Sequence, residues 1–339
     1  MFFTCVASRS HMYYVCGEHL LRIRVLGRLI RFFGHPIPVP KGGASVMAVR
    51  DILRRSKSGA SICMFPEGKR SFHGETIPSS DAIGKMVLKS GCALVTYRIR
   101  GGYFIYPRWA RGHVRKGHAE GEIVGIYSSK QLAGMTAREI TDIINRDTYE
   151  NAYETQREKM WRYKGRDLAA GMEHLLFICP RCGAADTIET SGDTFACKAC
   201  GMKGSWNEYG FLEGEDLPFD NMLEWMRWIE PRFTDYVKER GEEPISIEED
   251  IRLYEMEGGF KNRDILKDTL SVWHDRMEIG SYVFRFDEIP TLSMLFGDTI
   301  LFTYEGTYYG LRSDHFRAWK CARLWHMVQG DTDDPTREI

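Results

Sequence analysis

Apolar and polar positions in the first 130 residues switch between two periods. Residues 11–16 (HMYYVC) form a short apolar run of strand type. Residues 20–33 carry Leu20, Ile23, Leu26, Ile30 and Phe33 at helical spacing, with Arg22, Arg24, Arg28 and Arg31 between them. Pro36, Pro38 and Pro40 force residues 36–40 to be extended. Residues 46–57 return to the helical period. Residues 61–65 (SICMF) are an apolar run halted by Pro66, which predicts a buried strand. Residues 81–90 predict a helix that stops before Gly91. Residues 93–99 and 122–127 read as further strands. Strands alternating with helices predict an α/β sheet with helices covering its faces.

Beyond residue 130 the pattern changes. The capping box Thr136-Ala-Arg-Glu139 opens a helix that the charge pattern carries to Lys159, with Ile140, Ile143 and Ile144 as its apolar stripe. Its dense charge suggests a solvated connector. Residues 220–229 predict a helix with Met222, Trp225 and Ile229 on one side, and the acidic residues 239–250 predict a loose segment. Residues 281–286, 299–304 and 307–311 are strand-like. Residues 315–328 close as a helix in which Phe316, Trp319, Ala322 and Leu324 alternate with basic positions. This β-rich stretch resembles a small pleckstrin-homology-like barrel. Residues 331–339 are a polar tail. The expected division is 1–135 for the α/β domain, 136–176 for a helical connector, 177–212 for a cysteine-bearing ribbon, 213–255 for a helical and acidic linker, and 256–330 for a small β-rich (α+β) domain.

Composition adds class and charge. The 339 residues are 43% hydrophobic and 27% charged, the balance of a globular chain of two or three domains. No apolar run approaches the ~18 residues of a spanning helix, and no secretory pattern opens the chain, so a cytoplasmic protein is expected. The net charge of −1 conceals an asymmetry. Residues 1–130 hold 21 Lys+Arg against 7 Asp+Glu, and the remainder holds 25 against 40. A part so basic points to an anionic partner (phosphate groups, a membrane surface or nucleic acid), or to two oppositely charged domains docking on each other.

Four of the nine cysteines, Cys179, Cys182, Cys197 and Cys200, form C-x2-C-x14-C-x2-C. Two knuckles at this spacing aim four thiolates at one point and read as a tetrahedral, structural Zn2+ site, with iron as the chief rival. Gly183 and Gly201 follow the knuckles, and Ser191-Gly192-Asp193 suits a hairpin between them. A ribbon this small has almost no core of its own, so the metal is expected to supply most of its folding energy. The ribbon has few cations and lies in the acidic part of the chain, which argues against nucleic acid as its partner. Cys5, Cys16, Cys63, Cys92 and Cys321 are scattered and read as free thiols, which fits a reducing compartment.

The sharpest motif is Phe65-Pro66-Glu67-Gly68-Lys69-Arg70-Ser71. A buried strand delivers it to its own C-terminal edge, where sites form on open α/β sheets. Pro66 and Gly68 shape a turn that projects Glu67, Lys69 and Arg70. Arg70 suits a phosphate by its planar fork, and Glu67 suits either a hydroxyl end or the task of steadying the cations. FPEGKRS resembles the FPEGTRS block of the 1-acyl-glycerol-3-phosphate (lysophosphatidate) acyltransferases. Residues 13–30 resemble the strand and helix that open that family's fold, 34–39 its Gly-x-x-x-Ile-x-Arg block, and 94–102 its last block, so the likeness covers residues 1 to about 130.

The resemblance implies a glycerolipid-acyltransferase-like sheet with flanking helices. It implies acyl transfer from an acyl-CoA or acyl-carrier-protein thioester to a lysophospholipid acceptor at a membrane surface, which expects a peripheral protein at the inner face of the membrane. Glu67, Gly68, Lys69, Arg70 and Ser71 are then the acceptor site, and Lys41 stands near the family's second-block Arg. Thr96 stands where the last block has Pro. The family's H-x4-D motif supplies the base that deprotonates the acceptor hydroxyl, N-terminal to all these blocks. Of the ten histidines here only His326 is followed five positions on by Asp, at Asp331 near the C-terminus. The expectation is therefore a catalytic His–Asp pair encoded before Met1, with a non-catalytic relative as the rival. The basic residues 20–33 fit either a helix at the lipid interface or one packed on the core.

Overall fold

The computed structural model describes residues 12–17, 21, 26–39, 46–68, 70–111, 113–256, 262–295 and 297–330. The chain divides into two compact units. The first comprises Met1–Arg70, Thr76–Arg100 and Ala119–Asn151; the second comprises Ser71–Glu75, Gly101–His118 and Ala152–Ile339.

In the first unit, strand β1 (Met12–Gly17) lies between β2 (Ile37–Val39) and β3 (Ser61–Cys63), all parallel, with Val15 opposite Ile37 and Tyr13 opposite Ile62. Parallel strands need crossover helices, and these are α1 (Leu26–Gly34) and α2 (Val46–Lys57). Helix α3 (Ala82–Ser90) ends at Gly91, whose φ of 66° allows its N–H to reach the Leu88 carbonyl. Strands β4 (Leu94–Arg100) and β5 (Glu120–Tyr127) pair antiparallel, followed by α4 (Ser129–Ala133) and α5 (Ala137–Thr148). Ile83, Leu132, Ile140 and Ile144 form one small buried cluster, and Ile37, Ala48 and Ile52 another.

Residues 137–159 are not one solvated helix. Ile140 and Ile144 are buried, and α5 packs on α3 and β4. The helix stops at Thr148 and a second, α6 (Ala152–Lys159), begins in the other unit. Thr76 breaks the run. Its N–H donates to the Glu150 carbonyl at 2.9 Å, and its Oγ1 accepts from the Glu150 N–H at 2.9 Å, so residues 149–151 are held extended.

In the second unit, strands β6 (Ile188–Ser191), β7 (Thr194–Cys197), β8 (Lys203–Trp206) and β9 (Leu212–Glu213) make an antiparallel sheet. Helix α7 (Met222–Arg240) is longer than residues 220–229. It passes exposed Pro231 because Ile229, Phe233 and Val237 keep one side buried. Seven antiparallel strands follow: β10 (Ser246–Met256), β11 (Asn262–Val272), β12 (Arg276–Ile279), β13 (Tyr282–Arg285), β14 (Thr291–Leu295), β15 (Thr299–Tyr304) and β16 (Thr307–Arg312), in the order β13-β12-β11-β10-β16-β15-β14. Helix α8 (Ala318–Val328) packs on β14 and β15.

The acidic residues expected to be loose are the end of α7, a turn and half of β10. Here Glu248 points inward and Ile247 outward, the reverse of the usual alternation, and a register irregularity then resets the strand so that Ile251 and Leu253 are buried. One buried cluster runs through the cysteine element, α7, the seven-stranded sheet and α8, and includes Trp109, Phe177, Trp206, Trp225, Phe302 and Leu324.

Candidate functional site

Strand β3 ends at Cys63 and delivers the Phe65–Arg70 segment to the C-terminal edge of the parallel strands. The Gly68 N–H donates to the Phe65 carbonyl at 3.0 Å and closes a turn with Pro in its second position. Gly68 has φ of 70°, a conformation that a side chain strains, so the turn needs glycine there. Glu67 is half-buried, and its Oε2 accepts the Ile77 N–H at 3.1 Å. That carboxylate therefore ties the turn to the segment ahead of α3. Arg70 is exposed. The Oγ of Ser71 accepts the Gly74 N–H at 2.9 Å, and Ser71 opens the stretch assigned to the second unit. Lys69 and Lys41 lie outside the described residues. Thr96 has a structural task. Its hydroxyl donates to Asp147 at 2.7 Å, and the Tyr127 hydroxyl donates to the same oxygen at 2.7 Å.

In the second unit, Cys179, Cys182, Cys197 and Cys200 converge, with all four Sγ atoms within 4.8 Å of one another. Cys179 to Cys200 is 3.7 Å and Cys182 to Cys197 is 3.8 Å. A tetrahedron with Zn–S bonds of about 2.3 Å has edges of about 3.8 Å, so the donor set fits the ion. The knuckles are built alike. Gly183 and Gly201 each have φ of 73°, and each donates its N–H at 2.9 Å to the carbonyl of the first cysteine of its knuckle. Burial pushes the Cys179 thiol up to about 12. Burial also opposes the Cys197 thiolate, but the Thr187 hydroxyl and the Cys200 and Ala199 amides outweigh it and bring that thiol down to about 6. Amide and hydroxyl donors on ligand sulfurs orient and stabilise thiolates for a metal.

The element is not coreless. Cys179, Phe195, Cys197, Met202 and Trp206 are all buried in the cluster that extends to α8. Three side chains around it escape sequence reading. Thr187 contacts Cys197 Sγ at 3.2 Å. Asp186 binds Lys320 with both carboxylate oxygens at 2.6 Å. Lys320 itself is fully buried. No local pattern marks these residues, because their partners lie 10 and 134 positions away.

Residues 1–100 match the family model described as Acyltransferase. Among solved structures, the chain is similar to the 1-acyl-sn-glycerophosphate (LPA) acyltransferase, PlsC, from Thermotoga maritima. That likeness has 19% identity and a TM-score of 0.36, and covers 43% of this chain and 58% of that chain. The chain thus spans under two thirds of that protein's length. A search of curated proteins returns no match. Among the described residues no helix is long and apolar enough to cross a membrane.

Proposed function

We propose that this chain, whose residues 1–100 carry an acyltransferase-family segment, serves phospholipid synthesis. Its reaction is transfer of an acyl group from an acyl-CoA or acyl-carrier-protein thioester to a lysophosphatidate-like acceptor. The observation that carries the reading is the Phe65–Arg70 turn at the C-terminal edge of β1–β3, inside the matched segment. Arg70 grips the acceptor phosphate, with Lys69, Ser71 and Lys41 adding charge and hydrogen bonds. Glu67 keeps the turn closed through Ile77 and steadies the cations. Gly68 lets the backbone turn beneath them.

The net positive charge of residues 1–130 favours an anionic bilayer, so the protein works peripherally at the inner face of the membrane, in the cytoplasm. The four thiolates hold a structural Zn2+.

A second reading is a lipid-phosphate or membrane-surface binding protein of the same fold, which the exposed Arg70 and the net positive charge of residues 1–130 support equally. Binding to vesicles containing lysophosphatidate, and acyl transfer from acyl-CoA, are measured for the wild type and Arg70→Ala. Loss of one charge-assisted pair weakens binding roughly 10-fold or more. Transfer above the blank supports the enzyme, and binding without transfer supports the second reading. Wild-type protein that neither binds nor transfers removes both.

A further inference from the structure

The loop that joins the first knuckle to β6 does more than link two ligand pairs. Asp186 sits in it with φ of 60°, its N–H donating to the Phe177 carbonyl at 2.7 Å. The next residue, Thr187, places its hydroxyl 3.2 Å from Cys197 Sγ, and its carbonyl accepts the Lys198 N–H of the second knuckle at 2.8 Å. The Cys179 N–H donates to the Ala184 carbonyl at 3.0 Å. Two of these anchors are thus Cys179 and Cys197 themselves and a third is Lys198 beside Cys197, while Arg317 also donates to the Asp186 carbonyl at 3.4 Å.

The Asp186 carboxylate faces the opposite way, into α8. It binds Lys320 Nζ through both oxygens at 2.6 Å, and Arg317 Nε lies at 3.4 Å. Lys320 has no exposed surface, and its ammonium lies 5.2 Å from the Phe177 ring centroid. Among the described residues, the other carboxylate near it is Glu248 of β10, at 3.9 Å. Glu248 is itself buried, and burial works against its charge. A buried ammonium is tolerated only while a counter-ion is held against it, and removing the partner costs far more than the pair contributes.

We propose that metal binding at the four cysteines is the latch of α8: the ion fixes the 184–187 loop, the loop presents Asp186 to buried Lys320, and loss of the ion releases the helix that closes the seven-stranded sheet. This rests on the metal-site reading. With the four ligand sulfurs no longer drawn together, Thr187 loses its fixed partner and the loop its geometry. Lys320 then keeps only Glu248, a carboxylate that burial disfavours as an anion. The least costly response is for α8 to open and hydrate Lys320. Any chemistry that removes the ion, by chelation or by thiol oxidation, would open the same latch.

Hydrogen exchange on the full chain reads the latch, with metal content measured by a chromogenic indicator. Stripping the ion from the wild type is expected to raise exchange of the α8 amides about 100-fold or more, with the amides of α5 as the reference. In Lys320→Met, whose side chain needs no counter-ion, stripping is expected to change α8 exchange by less than about 3-fold. Asp186→Asn is expected to loosen α8 with the metal still bound. Wild-type protein that loses its metal while α8 stays protected overturns the latch and leaves the metal site standing. Protein that binds no Zn2+ at all overturns both. Equal loosening of α8 in the wild type and in Lys320→Met also overturns the latch, because the metal would then act through general packing.

Discussion

The two units solve opposite problems. The first has 19 Lys+Arg against 10 Asp+Glu, and the second 27 against 37. Among the described residues, the first gathers buried apolar side chains in two small clusters and leaves others in solvent. Phe32 is 74% exposed, Met47 79% and Ile126 69%. The second gathers the cysteine element, a long helix and seven strands around one cluster, and pays for its charges by pairing them inside. Exposed apolar and basic groups together are a surface that an anionic bilayer could receive, which is the use proposed for the first unit. The difference teaches that buried charge, rather than buried area alone, is where the second unit is vulnerable.

The largest expected effect tests whether the metal holds up the second unit. Cys197→Ser removes one thiolate of four and is expected to abolish tight metal binding. Isolated zinc-finger peptides gain about 10–16 kcal/mol from their ion. The shared core keeps the cost here to several kcal/mol, seen as a large fall in melting temperature with secondary structure retained at low temperature. A variant unfolded at every temperature would mean that the element depends on its ion as a coreless ribbon does, and the contrast between the units would narrow.

Next is the buried pair of α7 and α8. Arg323 Nε lies 3.0 Å from Glu230 Oε2, and both side chains are about nine-tenths buried. Arg323→Ala takes the guanidinium away from a buried carboxylate and is expected to cost about 3–5 kcal/mol in denaturant unfolding. Replacing both residues by apolar ones of similar volume is expected to cost much less. If the single and double variants are equally damaged, packing and not charge governs this interface.

Acid probes the same vulnerability. Burial lowers His174 to about 4 from its ordinary 6.5, and Arg111 and Arg317 reinforce burial while Glu173 and Asp298 oppose it. Its Nδ1 lies 3.0 Å from the Phe316 carbonyl, so the neutral ring donates there. Between pH 6.5 and 4 the unfolded chain binds the extra proton and the folded chain does not. Stability from this group is therefore complete above 6.5 and falls as the pH drops to 4, by about 3 kcal/mol in all. His174→Gln is expected to flatten that part of the stability–pH curve. An unchanged slope would show that another group carries the acid sensitivity.

These sites also show what a sequence can disclose. The knuckles were legible because ligand, turn and glycine lie within five residues of each other, as in Cys179–Gly183. The Phe65–Arg70 turn was legible for the same reason: Pro66 and Gly68 announce it locally. Strand β10 was hidden because Glu248 occupies an inward position and Ile247 an outward one, which inverts the pattern that marks a strand. The break after Thr148 was hidden because neither glycine nor proline makes it; Thr76 does, from more than 70 positions away. Lys320 read as one basic position among several in a closing helix, since its partner Asp186 lies 134 residues earlier.

The smallest effect tests the first unit by its local chemistry. Helix α5 opens with a capping box whose two halves are both made: the Glu139 N–H reaches Thr136 Oγ1 at 3.2 Å, and the Thr136 N–H reaches Glu139 Oε2 at 2.7 Å. Thr136→Ala removes the first bond and leaves an amide to water, which costs about 1 kcal/mol. The helix carries Ile140 and Ile144 into the small cluster, so the loss should reach the whole first unit. Hydrogen exchange is expected to rise about 5-fold across α3, β4 and α5, with no change in the amides of α7. A rise confined to the first turn of α5 would mean that the helix frays alone, and that the first unit is less cooperative than its packing implies.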